Sequence, residues 1–363
     1  MNLDGLVHNV TPMAFGCTST IDRHGYDVLL VVAKMTWTVS PTGVVAIASP
    51  QSPVRLADVP FSDAPGASTR YPSDLCEEKT GTDVLLVGTA QPPAARPVTE
   101  MDVGVRIETG QRSIQKVVKV YGPRVFHVGV LGVVPGPPAE LRPTPLVYES
   151  TYGGMDSASD PRHVFFESRN PAGRGFAKNR SVLVGQAAPQ LEDASAPLSG
   201  KSPAPACFGP LRADWAPRAL YAGTYDEAWR KRRAPLRPVD FDPRFHNVAP
   251  PDLWTETPLL GDEPVEVIGT TAAPVWRFRL PRYAPVFTVT RRDQTSERRT
   301  THLDTYLIDA DERRVEVTYR ATVRLPRKVD AIQEVRIMGE PSLSEELIEG
   351  LAARIRAQGE KSS

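Results

Sequence analysis

Alternation of apolar and polar side chains is cleanest at 315–325, where Val315, Val317, Tyr319, Ala321, Val323 and Leu325 are interleaved with Glu316, Thr318, Arg320, Thr322 and Arg324. A period of two puts alternate side chains on opposite faces of a sheet, so this stretch predicts a strand with one buried and one solvated face. It is expected to pair with 301–308 across the polar turn 309–313. At 27–39, Leu29, Val31, Ala33, Met35, Trp37 and Val39 share one face, while Leu30 and Val32 precede Lys34, Thr36 and Thr38 on the other. That pattern predicts a strand buried on both faces at one end and half exposed at the other. The run 82–90 (TDVLLVGTA) reads as a second buried strand. Met101, Val103, Val105 and Ile107 alternate up to the turn residues Thr109 and Gly110, and 113–121 returns as a hairpin. Strands are also expected at 125–134, at 144–148 and around Trp276, Phe278 and Leu280. The chain closes on a predicted helix, 342–358, with a capping box from Ser342 to Glu345 and an apolar stripe of Leu343, Leu347, Ile348, Leu351 and Ile355.

Between these patterned regions, 151–264 changes texture to glycine, proline, arginine and aromatics. Its densest part is 208–252, which holds Trp215, Tyr221, Tyr225, Trp229, Phe241 and Phe245 among prolines and arginines. Aromatic side chains bury large areas and proline reduces the entropy lost on ordering, so this reads as an ordered, packed surface. One short helix is expected near 226–233. The stretch 186–207, rich in Ala, Ser and Pro, is expected to be the mobile part. The fold class that follows is mainly β: packed antiparallel sheets, sandwich-like, with one long ordered insertion and a carboxy-terminal helix. The organisation expected is a β domain over 1–265 containing the insertion, followed by strands and the terminal helix over 266–363.

Composition sharpens this picture. Proline, at 36 of 363 residues, is about twice its usual frequency of about 5%, which disfavours a helical fold. Basic and acidic residues balance at 43 each, so no global field draws nucleic acid or an acidic membrane. The cysteines Cys17, Cys76 and Cys207 are scattered and odd in number, which fits a reducing compartment. No secretory leader pattern opens the chain, and no apolar run approaches the roughly 18 residues of a membrane span. A soluble, cytoplasmic protein without stable membrane insertion is the expectation.

Candidate chemistry is thin. Gly200, Lys201 and Ser202 spell the end of a phosphate-binding loop, but the position that needs the first glycine is Ser195, and prolines follow where a helix should begin. His163 and Glu167 stand four apart, and His246 follows Asp240 and Asp242, without a recognised metal-ligand or nucleophile pattern around them. Arg230–Arg233 and the pairs at 291–292 and 298–299 read as solvated faces. No cofactor, metal or catalytic residue is assigned. Tyr, Trp and Arg dominate protein interfaces, and on residue type and density the contact residues expected are Tyr225, Trp229, Phe241, Arg244 and Phe245. The alternatives are a hydrolase using Asp240, Asp242 and His246, or a structural or carbohydrate-binding β protein.

The segments TPMAFG, RYPSDLCEEKTGTDVLLVG, PLVYESTYGG, NPAGRGF and the 208–252 stretch with its DFDPRFHNVAPPD, in this order over about 10–265, resemble a bacterial family of unknown-function domains typically encoded beside type VI secretion components. Gln190 and Leu253 depart from the pattern, where Asn and Gln would be expected. The resemblance implies an adaptor or chaperone that binds a toxin effector and promotes its loading onto the VgrG spike, often with a PAAR-type tip. It brings no catalytic residues.

Overall fold

The computed structural model describes residues 4–325 and 332–339, apart from 111, 131, 201 and 202. The helix expected at 342–358 lies outside them. Strands account for 41% of the described residues and helical residues for 7%, so the mainly β class read from the alternation is the observed one.

The largest sheet has seven strands and is built on two long ones, Asp27–Val39 and Arg314–Arg324. They run antiparallel in a register that sets Met35 against Val317 and Ala33 against Tyr319. Ala14–Ile21 and the short Val45–Ile47 flank Asp27–Val39. Beyond Arg314–Arg324 come Leu303–Asp309, Thr82–Val87 and Trp254–Thr255, with one parallel contact, between Leu303–Asp309 and Thr82–Val87. Strands from the last quarter of the chain thus lie in the middle of a sheet whose rims come from earlier segments. A five-stranded sheet orders Leu191–Glu192, Ser113–Tyr121, Glu100–Glu108, Pro264–Ile268 and Val275–Arg279. A four-stranded one orders Val7–Asn9, Ile332–Gly339, Pro285–Arg291 and Ser296–Thr300. Trp37 and Tyr306 of the first sheet, Val105 and Trp276 of the second, and Phe287 and Val335 of the third share one apolar core. Among the described residues no helix is long and apolar enough to cross a membrane.

The second face of the seven-stranded sheet corrects the expectation of solvated strands. Lys34 and Thr36 are fully buried, and Glu316, Thr318 and Arg320 are nearly so. Segment 51–80 lies over them as a second, polar layer. Gln51 accepts from the Thr36 amide and donates to its carbonyl. Lys34 Nζ lies 2.6 Å from Asp74 and 3.6 Å from Glu316, and Arg55 forks onto Glu316 at 2.5 and 2.8 Å. Lys79 pairs with Asp83 at 2.6 Å, and Arg320 forks onto Asp304 while donating to the Cys76 carbonyl. Alternation reports the polarity of side chains; whether the polar face meets water or a charged partner depends on chain far away in sequence.

Other local expectations are refined. The hairpin Glu100–Glu108 with Ser113–Tyr121 and the pairing of Leu303–Asp309 with Arg314–Arg324 form as read. The 125–134 run is a tight hairpin, Phe126–Gly129 with Gly132–Pro135, rather than one strand, because Gly132 takes φ +114°. At 144–148 only Thr144–Pro145 is strand before a 3-10 turn, Tyr148–Ser150. The described residues of 186–207, expected to be mobile, include packed ones: Ala188, Leu191, Leu198 and Ala206 are buried and Glu192 pairs with Arg124. Their small apolar side chains fit against the edge of Ser113–Tyr121, an assignment that composition alone does not give.

Candidate functional site

The 208–252 stretch is anchored at both ends to the seven-stranded sheet. Phe208 is buried and its carbonyl accepts from Leu86 N, while Asp83 accepts from Val248 N at 2.8 Å. Leu211 N donates to the Val248 carbonyl at 2.7 Å, so the stretch leaves and re-enters the body of the protein at one place. Gly81 takes φ +85° directly before Thr82–Val87, and a Cβ there would lie 1.7 Å from the Thr255 carbonyl oxygen, so only glycine lets Trp254–Thr255 seat. Trp215 is buried edge-on to Tyr148, at 5.4 Å. Asp226 caps the helix Glu227–Arg232 by accepting from Trp229 N at 2.7 Å. Asp242 caps the 3-10 turn Pro243–His246 in the same way.

The five expected contact residues fall into two groups. Tyr225 is exposed and packs in a T-shape on Trp229, 4.7 Å between centroids. Trp229 is partly buried, its Nε1 donating to the Leu236 carbonyl at 2.8 Å. Phe241 is buried, with the Arg237 guanidinium 4.4 Å over its ring and Phe245 edge-on at 5.7 Å. Phe245 is itself partly buried below Arg218, at 5.2 Å. Arg244 is exposed, stacked 4.5 Å over Tyr221 and forked onto Asp242. Phe241, Phe245 and the partly buried Trp229 therefore hold the loop to itself, whereas Tyr225 and Arg244 face outward. The sequence reading passed over Leu220 and Val239, which are 77% and 86% exposed. Val239 stands alone between Pro238 and Asp240, whereas Leu220, between Ala219 and Tyr221, carries no sequence signal of exposure.

Next to this surface a cleft of about 180 Å³ opens between Leu211, Arg218, Tyr221, Arg244, Asn247 and Trp254. The acid–base candidates are not gathered in it. Asp240 accepts from the Thr224 amide and hydroxyl at 3.0 and 2.7 Å, and Asp242 is occupied by Arg244. His246 is buried between the Phe241 and Phe245 rings. Burial, reinforced by the charges of Arg237, Arg320, Lys79 and Arg218, pushes its pKa down to about 3. None of the three principal clefts is lined by Asp240, Asp242 and His246 together. His163 is bonded to Asp160 and Glu167 to Arg169, so they do not form a pair. Among the described residues no group of three metal-ligating side chains converges. The Cys207 thiol is pushed up to about 11 by burial.

A second exposed apolar cluster lies elsewhere, on the hairpin Phe126–Gly129 with Gly132–Pro135, where Val128 is 70% exposed and Val130 wholly so. From 125 to 139 the chain carries no charged residue.

The sequence motifs prove to be architectural. Asn170, which opens NPAGRGF, donates its amide to the Tyr148 and Tyr152 carbonyls at 2.9 and 3.0 Å, locking the turn of PLVYESTYGG. Gln190 donates to the Tyr121 carbonyl, and Leu253 is fully buried, so both departures from the pattern are accommodated. Residues 24–320 match the family described as "Uncharacterized protein conserved in bacteria (DUF2169)". The chain belongs to the DUF2169 family. The DUF2169 match extends well past 265, through the long strands Leu303–Asp309 and most of Arg314–Arg324, in line with their place at the middle of the largest sheet. No curated protein and no solved structure matches the chain.

Proposed function

We propose that this DUF2169 protein is a binding protein of type VI secretion, an adaptor that holds a toxin effector and promotes its loading onto the VgrG and PAAR spike proteins. The observation that carries the binding part is the exposure of large apolar side chains at 208–252. Leu220, Tyr225 and Val239 stay open to solvent on a segment where Tyr221, Phe241 and Phe245 are pinned by arginines. Three large exposed apolar side chains within 20 residues of one ordered loop are suited to a contact surface. The hairpin at 126–135 supplies a separate apolar surface, as a protein that bridges two partners requires. The assignment to type VI secretion comes from the resemblance of the five sequence segments.

The test is a pull-down of the tagged protein from its own bacterium, with mass spectrometry of what accompanies it. Recovery of a toxin with VgrG or PAAR proteins is expected. Tagged protein that comes down alone from cells expressing the secretion genes overturns the reading. The combined variant Leu220→Asp, Tyr225→Ala and Val239→Asp is expected to fold with each exposed change costing no more than about 0.5 kcal/mol. Its yield of the effector is expected to fall at least about tenfold, as loss of central contacts does. Undiminished recovery would remove this surface from the interface.

A further inference from the structure

Arg218 is a buried cation to which the described residues bring no direct counter-charge. It stands in the 3-10 turn Arg218–Tyr221 and is only 8% exposed. Its Nε donates to the Phe245 carbonyl at 3.0 Å and its Nη1 to the Leu211 carbonyl at 2.5 Å. Among the described residues no carboxylate lies within ion-pair distance of it. Asp58, Asp83 and Asp214 act on it only from farther away, and burial lowers its pKa. Among the described residues the other deeply buried cations are neutralised directly: Lys34 by Asp74, Lys79 by Asp83, Arg124 by Glu192 and Arg320 by Asp304. A guanidinium removed from water without a counter-charge is costly unless a ligand supplies the charge.

A second polar residue lines the same cleft. Asn247 is 6% exposed, and its side-chain amide nitrogen has no hydrogen-bond partner. Around these two polar groups the walls are apolar or aromatic: Leu211, Tyr221 and Trp254, with Arg244 at the exposed rim. The volume of about 180 Å³ is below the roughly 300–1,000 Å³ of pockets for drug-sized ligands, so one amino-acid residue is the appropriate scale.

We infer that the cleft at Arg218 and Asn247 receives a carboxylate on a small apolar body, supplied by one residue of a protein partner. Arg218 presents the rest of its guanidinium fork as a charge-assisted donor, Asn247 forms part of the polar wall, and Arg244 screens the approach. The aromatic walls take the apolar part of that residue. The identity of the donor as a partner protein rests on the binding function proposed above; the carboxylate specificity does not.

N-acetylphenylalanine and N-acetylphenylalaninamide, titrated into the full-length protein by calorimetry, separate charge from shape. The acid is expected to bind in the millimolar range, as a ligand of that size does, and the amide at least about tenfold more weakly. N-acetylglutamate N-methylamide carries its carboxylate on a side chain, and its affinity relative to N-acetylphenylalanine tells a chain end from an acidic side chain. The near-isosteric Asn247→Asp places a negative charge in the cleft and is expected to abolish binding of both acids. Should that variant fail to fold, Arg244→Ala at the exposed rim is expected to weaken acid binding several-fold while leaving the amide unchanged. Equal affinity for acid and amide, or no binding of either acid at millimolar concentration, overturns the inference. Because these probes need no partner, a negative pull-down and a negative titration remain separate results.

Discussion

Replacing Arg320 by leucine is expected to destabilise the protein by about 3–5 kcal/mol, the range for breaking a buried ion pair from one side. Arg320 forks onto Asp304, which is fully buried, and donates to the Cys76 carbonyl from the layer above. Burial by itself would raise the Asp304 carboxyl; Arg320 and Lys79 hold it below its ordinary range instead. Without the guanidinium, the carboxylate keeps the Thr305 hydroxyl and the more distant Lys79, which leaves most of its desolvation unbalanced. The same substitution frees the carbonyl of Cys76 and so loosens segment 51–80 from the sheet. Urea denaturation of the two proteins measures the difference. Removing both charges, Arg320→Leu with Asp304→Leu, is expected to recover a large part of the loss, since an apolar pair has no orphaned charge. A loss below about 1 kcal/mol for the single variant would mean that this face of the sheet is wetter than its burial indicates.

Acidification from about pH 7.5 to about pH 5 is expected to cost the wild type about 2 kcal/mol more than the His246→Phe variant. Folded His246 is held neutral, with a pKa of about 3, between Phe241 and Phe245 and facing Arg237, Arg320, Lys79 and Arg218. In the unfolded chain it takes up a proton near its ordinary value of about 6.5. Below that value the unfolded state binds more protons than the folded state, so stability falls as pH drops through the interval between the two pKa values. The slope approaches about 1.4 kcal/mol per pH unit, and about one and a half units lie between 6.5 and 5. Phenylalanine keeps the edge-on ring contacts and has no proton to bind. Parallel losses in the two proteins would show that His246 gains its proton without penalty in the folded state. The 208–252 stretch would then be less firmly closed over it than its burial implies.

The candidate surface was legible only in part. Tyr225, Trp229, Phe241, Arg244 and Phe245 were chosen for residue type, and the fold separates them by role: Phe241 and Phe245 lie beneath arginines, Tyr225 and Arg244 face solvent. Residue type gives an aromatic ring its appetite for burial, but not which neighbour satisfies it. Leu220 and Val239 carry no periodic signal, because a 3-10 turn and a proline-set loop have no repeating face. Asp240, Asp242 and His246 are adjacent in sequence yet diverge, since Asp240 turns to the Thr224 hydroxyl and Asp242 caps its own turn.

What the sequence determined by itself was local: strands where side chains alternate, hairpins where short polar turns join them, and the helix that Asp226 caps. These follow from near neighbours, because backbone preference and side-chain period act over a few residues. The tertiary structure alone decided that the polar side of the longest strands is covered, which buried charges meet, and that Arg218 meets none among the described residues. Asp304 and Arg320 stand 16 residues apart and Arg55 and Glu316 stand 261 apart. Such pairings arise when sheet register brings distant segments together, and in a low-dielectric interior each charge is then either matched across that distance or left for a partner to match.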